Sequence, residues 1–144
     1  MTTLVIGLDG HESGDRAVEY GKRMAGLIEG SELLLVYVVE WSPYSFQTPE
    51  ENEERHKRRE EEISVAVERV VHPSVEKLEK ANIKARGIVR HGHVADILNA
   101  VAKEENAEQI IVGRTSGHGL ASRLFGSATS NLVMSATVPV TVVS

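Results

Sequence analysis

Ile110-Ile111-Val112-Gly113-Arg114-Thr115-Ser116-Gly117-His118-Gly119-Leu120-Ala121-Ser122-Arg123-Leu124-Phe125-Gly126-Ser127 is the stretch whose reading decides the fold. A short β-branched run opens into a glycine-rich loop, and a helix-like pattern follows. In an α/β protein this is where backbone N–H groups can be brought up to a phosphate. Glycine tolerates positive φ there and lets the backbone approach closely. By local chemistry alone, the stretch makes the chain a nucleotide-binding candidate.

Working outward, Glu108–Val112 reads as a fourth strand, Ser127 to Ser135 as a last helix with Ser127 as its N-cap, and Val138–Val143 as a terminal strand. At the other end, Thr3–Leu8 is an apolar run ended by Asp9-Gly10. Ser13 reads as the N-cap of a first helix, with Asp15 in its first turn. Ala17, Val18, Met24, Ala25 and Ile28 supply that helix with an apolar face, and Gly30 stops it. Leu33–Val39 is apolar at nearly every position, which suits a parallel strand covered on both faces.

Trp41 to Pro49 reads as a loop, and the mixed charges of Glu50 to Glu62 as a solvated helix or a mobile insertion. From Ile63 the positions Val67, Val70, Val71, Leu78 and Ala81 keep helical spacing across Pro73. The expectation is a long kinked helix, with two helices broken near His72 as the alternative. Lys84–Arg90 is a more polar strand, hence an edge, and Val94 to Glu105 is an amphipathic helix. Strands and helices alternate throughout, which predicts one doubly wound parallel α/β domain over residues 1–144.

A chain of 144 residues with 41% hydrophobic and 26% charged residues has the composition of a globular domain able to bury a core. The net charge of −5, from 21 acidic and 16 basic residues, argues against nucleic acid as a partner. With no cysteine there are no disulfides and no thiolate chemistry. The chain runs from Met1 straight into a strand pattern, without a basic segment leading into an apolar one, and no apolar stretch reaches membrane-spanning length. A cytoplasmic location with no membrane insertion is expected.

Ligands of doubly wound sheets bind beyond the carboxyl ends of the strands where strand order reverses. Two strand ends carry suitable residues: the first ends in Asp9-Gly10 and the fourth opens the glycine-rich loop. Over essentially its whole length the chain resembles the universal stress protein family. The resemblance rests on Ile6-Gly7-Leu8-Asp9-Gly10, Val38-Val39-Glu40, Gly92-His93-Val94-Ala95-Asp96-Ile97, the terminal Val138-Pro139-Val140 and, above all, the loop. Nucleotide-binding members carry Gly, two residues, Gly, nine residues, then Gly-Ser or Gly-Thr. Gly113, Gly126 and Ser127 match that pattern, and Ser116 stands at the middle glycine.

The resemblance implies a five-stranded parallel sheet in the order 3-2-1-4-5 with helices on both faces. It also implies ATP, with or without Mg, at the switch point between strands 1 and 4. Asp9 would lie near the ribose and the backbone around Val38 would hold adenine. Gly113 and Ser116 would line the loop beside the phosphates, Gly126, Ser127 and Thr129 would contact phosphate, and Gly7, Leu8, Val112, Thr115 and Ala128 complete the expected set of binding residues. Arg114, His118 and Arg123 add cations within the loop. A homodimer through Val138–Val143 is implied, with room for a higher oligomer or a protein partner; an open edge strand invites such pairing.

Plainer roles exist for each feature. Asp9 serves the turn before the first helix equally well, Ser127 is a cap with or without phosphate, and Gly117 and Gly119 suit ordinary turns. A positive φ at Ser116 would cost roughly 1 kcal/mol; without it, the hydroxyl offers phosphate a further hydrogen bond. The Walker pattern is absent, since no Gly-Lys-Ser/Thr follows, and no general base is assignable. His91 and His93 lack identifiable partners for metal binding, His11 reads as an exposed turn residue, and no Ser/His/Asp set is defensible. The expectation is a non-enzymatic, ATP-binding homodimer with little or no hydrolysis. Its rival is a dimeric interaction module of the same fold, without nucleotide, working through the surface around Trp41–Glu62. A hydrolase is the weakest reading.

Overall fold

Continuous apolar runs make the sheet. In the computed structural model, which describes residues 1–40, 49–114 and 120–144, β1 (Thr2–Leu8), β2 (Ser31–Glu40), β3 (Ala85–Gly92), β4 (Gln109–Gly113) and β5 (Val140–Val143) form one sheet in the order β3-β2-β1-β4-β5. Every pairing is parallel, with Leu4 opposite Leu33 on one side and Gln109 on the other. The strand order and the edge position of β3 are those expected from the sequence.

Successive side chains of a strand point to opposite faces, so the sheet has two cores. Val5, Leu34, Val36, Ile110 and Val112 pack with Leu98 and Val101 of α4 (Val94–Glu104) and Leu132 of α5 (Leu120–Ser135). Leu4, Ile6, Leu33, Leu35 and Ile111 pack on the other face with Ala17 of α1 (Glu12–Leu27) and with Val71 and Leu78 further along. No helix among the described residues is long and apolar enough to cross a membrane.

The first helix starts earlier than Ser13. His11 is its N-cap and Ser13 lies buried inside the first turn. Asp9 does the capping from two residues upstream: its Oδ1 accepts the N–H groups of His11 at 2.8 Å and Gly14 at 2.9 Å. The buried face of α1 is made of small residues, Ser13, Gly14, Ala17 and Gly21, so the helix sits close to the sheet; a Cβ on Gly21 would strike Ile6.

After β2 the charged segment forms a solvated helix, α2 (Pro49–Ala66), which continues through a π-helical turn (Val67–Val71) into α3 (His72–Lys80) without a break. The rod is continuous, and the wide turn stands just before Pro73. Proline lacks an N–H and crowds the carbonyl four residues back; an expanded turn is a way to take it without ending the helix. Ser74 Oγ donates to the Val70 carbonyl at 3.1 Å. Val71 closes the rod onto β3 where Gly87 has no side chain: a Cβ there would overlap Val71 Cγ1.

The last helix also departs from expectation. It begins at Leu120, so Ser127 is inside α5 and is not its N-cap. The apolar periodicity of Leu120, Leu124 and Ala128 carries the helix back toward the loop, ahead of the Gly126-Ser127 punctuation.

Candidate functional site

β1 and β4 are neighbours whose following helices leave to opposite faces of the sheet, so a crevice opens beyond their carboxyl ends. Its walls follow from register. β1 ends at Leu8, opposite Tyr37, while β2 runs on to Glu40 paired only with β3. Beyond Tyr37 the edge of β2 that faces β1 therefore has no strand partner among the described residues. Main-chain donors and acceptors around Val38 are left available there to a flat heterocycle.

Asp9 follows β1 at the mouth of this crevice. One carboxylate oxygen is spent on His11 and Gly14, whereas Oδ2 is out of contact with solvent and has no hydrogen-bond partner among the described residues. An unpartnered buried acceptor costs about 1–3 kcal/mol unless a donor is supplied. Ser13 Oγ, in the first turn of α1, is likewise buried without a partner among the described residues.

On the β4 side, Gly113 is required by packing. A Cβ on it would overlap the Ser13 carbonyl and lie 2.9 Å from Ser13 Cα, so only glycine lets the first turn of α1 rest on the end of β4. Gly7 is the milder case, its Cβ meeting the side-chain ends of Val112 at 3.0 Å and Leu98 at 3.1 Å. Leu8, Val38 and Val112 are buried at the strand ends, Leu8 in the core under α1 and Val38 and Val112 in the core under α4 and α5.

Sequence reasoning overlooked Arg16. Its Nη2 donates to the Arg114 carbonyl at 2.6 Å, while the Arg114 N–H donates to the Val143 carbonyl at 2.6 Å. The first peptide of the loop is thus tied both to α1 and to the terminal strand. The signal was available: Arg16 is one turn past Ser13, on the flank of the small-residue stripe that meets the sheet.

Thr115 and Ser116 lie outside the described residues, as does His118. Gly126 and Ser127 are within the second turn of α5, and Ala128 and Thr129 follow, both half-buried. Anion preference differs between the two helix starts. The first turn of α1 holds Glu12 and Asp15, which answer its own dipole and repel phosphate, whereas the first turn of α5 holds no acid. Of the two helix starts, that of α5 is the one without a carboxylate to oppose an anion. Of the histidines, His93 is the exposed N-cap of α4. His91 Nε2 lies 3.8 Å from Glu62, and burial, with Arg59 nearby, pushes the His91 pKa below its ordinary value. No group of three residues able to hold a metal ion occurs among the described residues.

The model of the universal stress protein family matches residues 1–144. The chain belongs to this family. Universal stress protein Rv1636 of Mycobacterium tuberculosis (strain ATCC 25618 / H37Rv) is 28% identical over 144 residues, which cover 98% of this chain and 94% of that relative. The structure of universal stress protein UspA from Lactobacillus plantarum superposes with a TM-score of 0.77 at 21% identity, over 99% of this chain and 97% of the other. A universal stress protein in complex with cAMP superposes with a TM-score of 0.68 at 20% identity, over 99% and 95%. At these identities the two structural likenesses speak for the doubly wound fold. Within the family's loop pattern, the first glycine has a packing reason in this chain, the approach of α1 to Gly113.

Proposed function

We propose that this universal stress protein is a cytoplasmic stress-response homodimer that binds ATP between the carboxyl ends of β1 and β4, with little or no hydrolysis. The observation that carries the reading is the Asp9 carboxylate, held by two backbone N–H groups through Oδ1 and left with a buried Oδ2 that has no partner among the described residues. A ribose hydroxyl is a donor of the kind that oxygen lacks. The unpaired edge of β2 around Val38 takes the base, as backbone edges take flat heterocycles with neighbouring donors and acceptors. Gly113, Thr115 and Ser116 lead the chain past the phosphates. The start of α5, with Gly126, Ser127, Ala128 and Thr129 behind it, supplies donors without opposing acid.

That a structural relative is in complex with cAMP supports an adenine nucleotide as the ligand class here. Mg²⁺ would come with the nucleotide, held mainly by phosphate oxygens and water. Asp9 caps α1 through Oδ1 and would meet the ribose through Oδ2, which gives it no part as a base toward a γ-phosphate and supports the reading of little or no hydrolysis. Dimerisation through Val138–Val143 would cover the open edge of β5, where Val142 is 41% exposed.

The test is release of small molecules from the denatured purified protein, read by adenine absorbance, together with titration of the native protein with ATP-Mg²⁺. Bound adenine nucleotide or saturable binding below about 1 mM is expected. Failure of both would leave the fold as an interaction module acting through other surfaces.

A further inference from the structure

The crevice and β5 flank β4 on opposite sides, yet a continuous line of contacts joins them. At the crevice, Asp9 Oδ1 fixes the start of α1 through the N–H groups of His11 and Gly14. The Ser13 carbonyl of that turn rests against Gly113 at the end of β4. One turn on, Arg16 Nη2 donates to the Arg114 carbonyl, and the Arg114 N–H donates to the carbonyl of Val143, the last residue of β5. The Val143 side chain closes the line by packing against the core under α1.

Arg16 has carboxylates closer along the chain. Glu12 stands four residues before it on α1 and Glu19 three after, the spacings of helical ion pairs, yet it pairs with neither among the described residues. The guanidinium turns to the end of β4 instead. Its Nε is out of contact with solvent and without a partner among the described residues, so the bond to Arg114 orients the group. A charged donor on a backbone carbonyl belongs to the stronger class of hydrogen bond. The element it steadies is a weak one. β5 has four residues and pairs only with β4 among the described residues, and short edge segments open more readily than the centre of a sheet. Opening from the Val143 end releases Arg114, and with it the residue next to the glycine on which α1 rests.

We propose, resting on the nucleotide reading, that Arg16 is a positioning residue that couples the crevice to β5, so that nucleotide held at Asp9 and the docking of Val143 on Arg114 strengthen each other. Such coupling is reciprocal: each event favours the other by the same factor. The β5 edge thereby carries the state of the crevice to whatever pairs with it.

Exchange of the Arg114 amide hydrogen, which reports the Val143 end of β5, is followed by NMR in the whole chain, free and saturated with ATP-Mg²⁺ as judged by calorimetry. Bound ATP is expected to slow this amide by about fivefold or more. In Arg16→Met, which keeps the helix propensity and the apolar stem but donates nothing, the ratio of free to bound rates falls to about one. A merely structural Arg16 would instead speed both states alike and leave the ratio unchanged. From the other end, Val143→Asn loosens β5 outside the crevice. It is expected to weaken ATP-Mg²⁺ by about fivefold with Arg16 in place, and to add no further loss in the Arg16→Met background. A wild type that binds no ATP overturns the proposal together with the nucleotide reading. Binding by the wild type with an Arg114 rate that ATP leaves unchanged, with equal ratios in wild type and Arg16→Met, or with full affinity in Val143→Asn, overturns the coupling and leaves the nucleotide reading standing.

Discussion

Gly113→Ala is the sharpest stability test of the crevice. The added methyl overlaps the carbonyl of Ser13 and lies 2.9 Å from Ser13 Cα, where ordinary carbon contacts begin near 3.5 Å. The atoms it meets are main chain, so no side-chain rotation relieves the overlap. The turn they belong to is itself pinned, by Asp9 Oδ1 on the Gly14 N–H and by Arg16 on the Arg114 carbonyl. The first turn of α1 must therefore move away from β4 by roughly an ångström, giving up those bonds in part. Overpacking costs about 1–3 kcal/mol and occasionally more, and the weakened cap adds about 1 kcal/mol, so a loss of about 2–4 kcal/mol is expected. Urea unfolding at unchanged m reads it. Gly26→Ala is the internal control: a Cβ there meets nothing within 4 Å, and removal of a helical glycine is expected to stabilise by up to about 1 kcal/mol. A Gly113→Ala protein within about 0.5 kcal/mol of the parent would refute the close-packing argument.

Other outcomes follow from the same geometry. Glu32, buried in β2, accepts from Arg86 at 2.5 Å and lies 3.5 Å from Lys84; the Arg86 hydrogen bond, opposed by burial, holds its pKa below the ordinary 4.5. Its contribution is complete above that ordinary value and fades as pH falls through it toward the folded pKa. Glu32→Gln should cost about 1–3 kcal/mol at neutral pH and progressively less in acid, and a gap that stays constant with pH in denaturation curves would contradict this. Gly126→Val should abolish ATP-Mg²⁺ binding by blocking the phosphate path while circular dichroism stays unchanged; an unaltered affinity would remove the loop from the site. Val140→Asp should turn a sedimenting dimer into a monomer, and a wild type that already sediments as a monomer would end the β5 interface.

How far the sequence could be read depended on which force set each feature. The strands were plain because Leu33–Val39 and Ile110–Val112 are apolar through and through, which only a sheet covered on both faces rewards. β3 declared itself an edge by alternating Arg86 and Arg90 with apolar residues; in the fold those arginines reach Glu32, Glu105 and Glu104. Helix starts were misread where a cap acts at a distance. Ser13 is the residue type that caps, yet Asp9 reaches forward to do it, and Gly126-Ser127 looks like a start although helical periodicity runs back to Leu120. The π-helical turn had no local signature apart from Pro73. Of the site, Asp9 and Gly113 were legible as residues at strand ends. The packing reason for Gly113 and the part of Arg16 required knowing that α1 lies across β4, a contact between segments about a hundred residues apart.

Asp9→Asn tests the nucleotide site most directly, because it changes one atom. The amide oxygen can still accept from the His11 and Gly14 N–H groups, so the helix cap and the fold are kept, while the unpartnered Oδ2 becomes an NH₂ group that cannot accept a ribose hydroxyl. Calorimetric titration of wild type and variant with ATP-Mg²⁺ should show one site per chain in the first and an affinity lower by about tenfold or more in the second, about 1.4 kcal/mol at least. Equal affinities, or no binding by the wild type, would contradict the assignment of the crevice between β1 and β4 as an adenine nucleotide site.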